Sequence, residues 1–415
     1  MAKQNFIAAL DIGSGKITAV LATVNPQTDM VQIKTGTTFD CEGLNGGIVT
    51  NIRATANTIK KVLTHLEETS NVTISALYLA LRGEHIETFT NRGTFTSTSM
   101  DHTITTEDIE QAISNAKNMP LKPNTEILSI VPQGFYLNKN KVDNPEGMDG
   151  ETLDIDLHIT TGSTSTFTNL NRSFEQAGYD VSSRFYGLVC LAEAVLPQET
   201  KDIGALLIDL GKDNTSAGIY AEGALRCSYD IKMGSDLITS DISKMLTISL
   251  KDAENIKIKY GTTFPQNYDQ EEEIKISSLY SKEETKISRD YLLDIIRPRV
   301  QDIFEAVKER IQNSGLYNFA NIAVLAGGGS LLPGITEQAR ATLDIKNVIC
   351  STISKDLVEC EDEFLDPKYS TAVALAYFVI KKDTLDIDYN RSSTRNGNFI
   401  KNVWEKLRKS DIFGG

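Results

Sequence analysis

At 415 residues the chain is long enough for two large lobes or three to four smaller domains, and its 40% hydrophobic and 24% charged residues are an ordinary globular balance. The net charge of −14 excludes nucleic acid as the main partner, because a phosphate backbone is repelled everywhere but at a local basic patch. The five cysteines (Cys41, Cys190, Cys227, Cys350, Cys360) are scattered without C-x-x-C spacing, and the four histidines are dispersed, which argues against a disulfide framework and a zinc knuckle.

The N-terminus runs straight into a strand-like segment without the apolar core of a signal peptide. No stretch approaches the roughly 18 apolar residues of a membrane span, so the expectation is a cytosolic protein, with room for a surface anchor. Phe6 to Leu10 reads as a strand, Asp11-Ile12-Gly13-Ser14-Gly15-Lys16 as a turn and Ile17 to Val24 as a second strand. A P-loop or dinucleotide site would need a helix directly after the glycines. The same order returns at Ala205 to Ile208, Asp209-Leu210-Gly211-Lys212-Asp213-Asn214 and Thr215 to Tyr220. Two D-x-G hairpins, each opening a lobe-sized segment, point to a duplicated α/β lobe.

Between them, Thr105 to Asp108 predicts a helix start with capping-box chemistry, followed by Ile109, Ala112, Ile113 and Ala116 at helical spacing. Strand-like runs at Leu128 to Val131, Phe135 to Leu137 and Leu153 to Thr160 accompany it, and residues 84–163 read as an inserted α+β subdomain. Residues 229–300 read as a second insertion, helical and rich in lysine and glutamate, with a loop around Phe264-Pro265-Gln266-Asn267. Ile322 to Ala326 predicts a strand that ends in Gly327-Gly328-Gly329. Residues 383–398 turn polar and read as a linker, and 399–415 as a final helix.

A nucleotide held between two lobes needs phosphate donors, acids for a metal and a gap for the base. Gly13, Ser14 and Gly15 let backbone N–H groups approach a phosphate, and Lys16 supplies a point charge. Asp11 and Asp209, each ending a strand, are placed to hold hydrated Mg²⁺. The three glycines at 327–329 allow backbone to lie flat against adenine or ribose; by themselves they fit a tight turn into a helix equally well.

With these residues in place the chain resembles the FtsA family of bacterial division proteins, within the actin/Hsp70 superfamily. Ala9 to Lys16 is similar to the first phosphate motif of actin-fold proteins, Asp209-Leu210-Gly211 to the second and Ala326 to Gly329 to the adenosine motif. Ile130-Val131-Pro132-Gln133, Val142 to Met148, Thr239-Ser240-Asp241-Ile242, Asp252 to Lys257 and Asp366 to Val373 extend the resemblance over essentially the whole chain.

The resemblance implies an actin-like, two-lobe α/β fold of duplicated ribonuclease-H-like domains. Domain 1A would take 1–83, 164–200 and 366–382; 1C, 84–163; 2A, 201–228 and 301–365; and 2B, 229–300. It implies ATP and Mg²⁺ as cofactors, with phosphates on Gly13, Ser14, Gly15, Lys16, Gly211, Lys212, Asn214 and Thr215. The nucleoside would meet Glu254, Lys257, Gly327, Gly328 and Gly329. Glu254 and Lys257 also share a helix face as a simple ion pair would. The partners implied are the C-terminal tail of FtsZ, further copies of the chain in a head-to-tail polymer, anionic inner-membrane lipid and later divisome membrane proteins. The place implied is the cytoplasmic face of the cell membrane at the septum. Ile296-Arg297-Pro298-Arg299-Val300 is similar to the start of a family helix near the FtsZ-tail surface, so Arg297 and Arg299 are the partner residues; a solvated pair beside a helix-starting proline is the plain alternative.

The family usually carries Gly-Gly-Thr where this chain has Lys212-Asp213-Asn214, and no carboxylate occupies Tyr186-Gly187-Leu188-Val189, so the expectation is weak or no ATPase activity. A pilus-assembly ATPase and a small-molecule kinase of the same superfamily stay open as alternatives. The tail discriminates among them. Phe399, Ile400, Val403, Trp404 and Leu407 fall within about 140° of a helical wheel, and Lys401, Lys406, Arg408 and Lys409 lie opposite. That is the composition of a helix lying in a membrane interface.

Overall fold

Ile7–Ile12 and Lys16–Val24 pair antiparallel, with Ile7 opposite Ala22 and Ile12 opposite Ile17. Both are buried almost without alternation, as strands covered on two faces are. Ala76–Leu81 joins the first strand in parallel and sets Ala80 beside Asp11. The complete sheet runs Ser183–Tyr186, Ala76–Leu81, Ile7–Ile12, Lys16–Val24, Val31–Asp40, Val358–Glu359. In this computed structural model the residues described are 6–13, 15–97, 101–265, 272–277 and 284–389.

The second half repeats the plan. Ala205–Leu210 pairs antiparallel with Thr215–Ala221, while Ile322–Ala326 runs parallel to it and sets Ala326 beside Asp209. This sheet runs Ala224–Ile231, Thr215–Ala221, Ala205–Leu210, Ile322–Ala326, Asn347–Cys350. The helix Gly187–Val195, buried at every position but Glu193, joins the lobes: Leu188, Val189, Cys190 and Leu191 share one core with Ile7–Ile12 and with Ala205, Leu207 and Tyr220 of the second sheet. A second core lies on the opposite face of that sheet, around Leu206, Ile208, Ile242, Ile296 and Phe304. These features, with the inserted subdomain below, make an actin-like two-lobe α/β fold.

The insert is a four-stranded sheet ordered Glu87–Thr96, Thr152–Ser163, Thr125–Leu137, Asn140–Val142. Helix Thr106–Lys117 closes it, burying Ile109, Ala112, Ile113 and Ala116 against Ile155 and Leu157. Its start is the expected capping box: the Thr105 hydroxyl accepts from Asp108 N, and the Asp108 carboxylate accepts from Thr105 N. The two short strands expected at 128–131 and 135–137 are one strand, Thr125–Leu137, which carries Pro132 at a register shift where a missing N–H is tolerated.

Three readings of the second half need correction. The 229–300 segment is not all helical: Glu273–Ser277 and Glu284–Ser288 form a hairpin. Pro298 does not start a helix but lies inside Arg289–Asn313. Its lost hydrogen bond costs about 3 kcal/mol, and the buried row Ile295, Ile296, Val300, Ile303 and Phe304 offsets it. Last, helix Ser370–Tyr389 runs into the range expected as linker, since no Gly or Pro interrupts it. No helix among the described residues is long and apolar enough to cross a membrane.

Candidate functional site: an arginine between two strand-end aspartates

The duplicated hairpins bring Asp11 and Asp209 face to face. Each is the next-to-last residue of its strand, at matching positions in the two sheets. Between them lies Arg82, a residue the sequence reading passed over. Its Nη2 donates to Asp11 Oδ2 at 2.6 Å and to Thr371 Oγ1 at 2.9 Å, and its Nη1 donates to Asp209 Oδ2 at 2.5 Å. The three side chains are 11%, 14% and 2% exposed, so the pairing is dry. Burial lowers the pKa of Arg82, but Asp11 and Asp209 outweigh it and leave the guanidinium more firmly protonated than usual. Asp209 is raised, by burial first and by Asp11 second, against the pull of Arg82. Among the described residues Asp11 Oδ1 and Asp209 Oδ1 have no hydrogen-bond partner.

Around this pair stand the two Gly turns. Gly13 N donates to Lys16 O, and Gly15, at φ +114°, is reached by Lys212: a Cβ on Gly15 would lie 3.1 Å from Lys212 Nζ. The first turn of one lobe therefore touches the second turn of the other. Lys16 and Lys212 are mostly exposed, each 4.0 Å from one carboxylate, Asp40 and Asp236 respectively. Asp213 reaches across the gap and accepts from Gly46 N at 3.3 Å. Of the other residues expected at the phosphates, Gly211 N donates to Asn214 O, and the buried Asn214 side chain has no hydrogen-bond partner among the described residues. Thr215 Oγ1 donates to Met233 O at 2.6 Å, so its hydroxyl is turned to the protein. Ser14 lies outside the described residues.

On the second lobe, Lys257 Nζ lies 2.7 Å from Glu254 and donates to Thr239 Oγ1 at 2.8 Å, while Thr239 donates to Glu254. Burial would raise the Glu254 pKa, but Lys257 holds it below its ordinary value. Thr263 N donates to Pro333 O, tying the segment after helix Leu250–Tyr260, which carries Glu254 and Lys257, to the loop that follows Gly329. Ahead of that loop Gly327 has φ +80° and a Cβ there would stand 2.2 Å from Asp209 Oδ1, whereas Gly328 is exposed with nothing within 4 Å. Bare backbone is thus exposed at Gly328, next in the chain to a glycine packed against Asp209.

A second acid, also passed over, stands beside the Arg82 cluster. Asp230 accepts from Tyr186 Oη (2.7 Å), Ser216 Oγ (2.6 Å) and Gly83 N (3.3 Å), and burial raises it to about 6 against those donors and Arg82. The insert is fastened to the same strand: Gln133 Nε2 donates to Leu225 O and Arg226 O, and buried His158 Nε2 is 3.0 Å from Ser228 Oγ.

The hydrated Mg²⁺ expected between Asp11 and Asp209 has two unpartnered oxygens to bind. The space on the Oδ2 side, however, is filled by a hydrogen-bonded guanidinium. A divalent ion does not fit there while Arg82 holds this position. Arg299 pairs with Asp241 at 2.6 Å and Asp302 at 3.2 Å, and Arg297 is exposed. The expected membrane residues Phe399, Ile400, Lys401, Val403, Trp404, Lys406, Leu407, Arg408 and Lys409 lie outside the described residues.

Duplicated lobes meeting at paired D-x-G turns define an actin-like protein. Solved structures agree on the fold. The PilM–PilN type IV pilus biogenesis complex matches with a TM-score of 0.65 at 17% identity, covering 90% of this chain and 98% of that one. MreB 5 of Spiroplasma citri bound to AMPPNP matches with a TM-score of 0.54 at 14% identity, covering 93% and 98%. Within that class the family models described as Cell division protein FtsA and SHS2 domain inserted in FTSA match residues 206–374 and 83–161. Cell division protein FtsA of Borreliella burgdorferi is 32% identical over 378 residues, covering 90% of this chain and 91% of its own length. The chain belongs to the FtsA family of cell division proteins.

Proposed function

We propose that the chain binds ATP between its lobes, polymerises head to tail on the cytoplasmic face of the cell membrane at the septum, and tethers FtsZ filaments there through the FtsZ C-terminal tail, helping to recruit later divisome membrane proteins. The observation that carries the nucleotide reading is the meeting of the two Gly turns over Asp11 and Asp209, with the open backbone of Gly328 beside them. Phosphates lie on Gly13, Ser14, Gly15, Lys16, Gly211 and Lys212, and the nucleoside against Gly327, Gly328, Gly329 and the Glu254–Lys257 pair. Asn214 and Thr215 support the second turn from below.

The lobes divide as 1A, 1C, 2A and 2B at the boundaries set out from the sequence, except that 1A runs on to the end of helix Ser370–Tyr389. Arg297, exposed on 2B, is the better placed of the two arginines for an acidic tail, since Arg299 already has two carboxylates. The amphipathic segment 399–415 anchors the polymer, and multiplying a weak anchor along a polymer makes attachment firm. The likeness to the pilus complex is one of fold and does not favour the pilus alternative.

Hydrolysis is slow on this reading, because Asp213 is committed to Gly46 and Arg82 is in place of a mobile cation. Calorimetry with ATP tests the site. Wild type binds, and Gly13→Val, which puts a branched side chain in the first turn, binds at least about tenfold more weakly. Equal affinities would remove the nucleotide from this turn. Turnover above about one per second, the low end for ordinary enzymes, would revive the kinase reading.

A further inference from the structure

The two lobes place different residues at the same point of the same topology. Ala80 stands beside Asp11 and Ala326 beside Asp209, each on the parallel strand next to the D-x-G hairpin. Two residues further on, the second lobe has Gly328, bare and open, and the first lobe has Arg82. Arg82 enters the cleft from that strand end and donates one hydrogen bond to each aspartate and one to Thr371. Its Nη1 also borders the second phosphate turn, 3.6 Å from where a Cβ on Gly211 would stand.

We propose that the Arg82 guanidinium is a built-in replacement for the divalent cation between Asp11 and Asp209, so that this chain binds a nucleoside triphosphate without Mg²⁺. The inference deepens the nucleotide reading above and rests on it. Two facing carboxylates at a buried lobe contact demand a cation, since their mutual repulsion is poorly screened there. A tethered guanidinium meets the demand permanently, in a planar fork suited to two carboxylates and, beyond them, to phosphate oxygens. A divalent ion brought to the remaining Oδ1 atoms would sit against that positive charge in a low dielectric, and with Arg82 in place it gains little. Lys16 and Lys212, exposed on the two turns, add charge from outside the buried pair.

The test is ATP titration of the full-length chain by calorimetry, once in excess Mg²⁺ and once in excess EDTA. The expected result is two dissociation constants within about threefold of each other. A wild-type affinity that falls more than about tenfold in EDTA overturns the proposal. Arg82→Ser, which frees both carboxylates, is expected to bind ATP only with Mg²⁺, and Mg²⁺ alone is expected to raise its melting temperature while leaving that of wild type unchanged. Arg82→Ser binding equally well in EDTA would also overturn it. Should this variant not fold, the wild-type comparison decides. No ATP binding by wild type in either buffer would strike the nucleotide reading itself, and the proposal with it.

Discussion

Gly327 and Gly328 are neighbours under opposite constraints. Gly327 needs its left-handed φ of +80° and has Asp209 Oδ1 where a Cβ would go, while Gly328 has open space around it. Gly327→Ala is therefore expected to lower stability by at least about 1–2 kcal/mol in denaturant unfolding, from backbone handedness alone. Gly328→Val is expected to change stability by no more than about 0.5 kcal/mol and yet weaken ATP binding more than about tenfold. A Gly328→Val protein with unchanged ATP affinity would show that the base does not lie on this strand end. The sequence marked all three glycines alike. Only the backbone angles and neighbours separate the one that folding needs from the one a ligand needs.

At the scale of elements, the strand Ala224–Ile231 is the seam where the insert meets the second lobe, and His158 is its titratable rivet. Burial lowers His158 to about 4, against 6.5 in the unfolded chain. A depressed value of this kind adds stability that is fully present above pH 6.5 and is lost as the pH falls towards 4. His85, lowered to about 4 mainly by burial, adds in the same direction. In a pH series of unfolding free energies, wild type is expected to lose stability steeply between those values. His158→Gln is expected to show a shallower slope, by a part on the order of 2–3 kcal/mol. Parallel slopes would mean that His158 is not neutral in the folded protein.

The elements also show what a sequence exposes and what it hides. Strand–turn–strand at 11–16 and 209–214 was legible, because both strands are buried runs and both turns carry glycine. The cap at Thr105 was legible because capping is local chemistry. The Glu273–Ser277 and Glu284–Ser288 hairpin was not: its exposed glutamates and lysines, such as the Glu273–Lys286 pair, give the composition of a surface helix. Arg82 was hidden for a different reason. A single charge after a buried strand looks like an ordinary strand end, and its meaning comes from Asp11, Asp209 and Thr371, which only the folded sheets bring together.

For the whole molecule, the proposed tether requires a cleft for nucleotide, a tail for lipid and a surface for FtsZ to act together in one chain. Purified FtsZ mixed with anionic vesicles measures that join directly, by co-sedimentation in the presence of ATP. With the full-length chain, FtsZ is expected in the vesicle pellet. With Trp404→Glu, which removes an aromatic burial of roughly 2–3 kcal/mol, both proteins are expected to fall at least about tenfold in the pellet while ATP affinity is unchanged. A wild-type chain that pellets with vesicles and leaves FtsZ in solution, or that stays in solution itself, would contradict the tethering role.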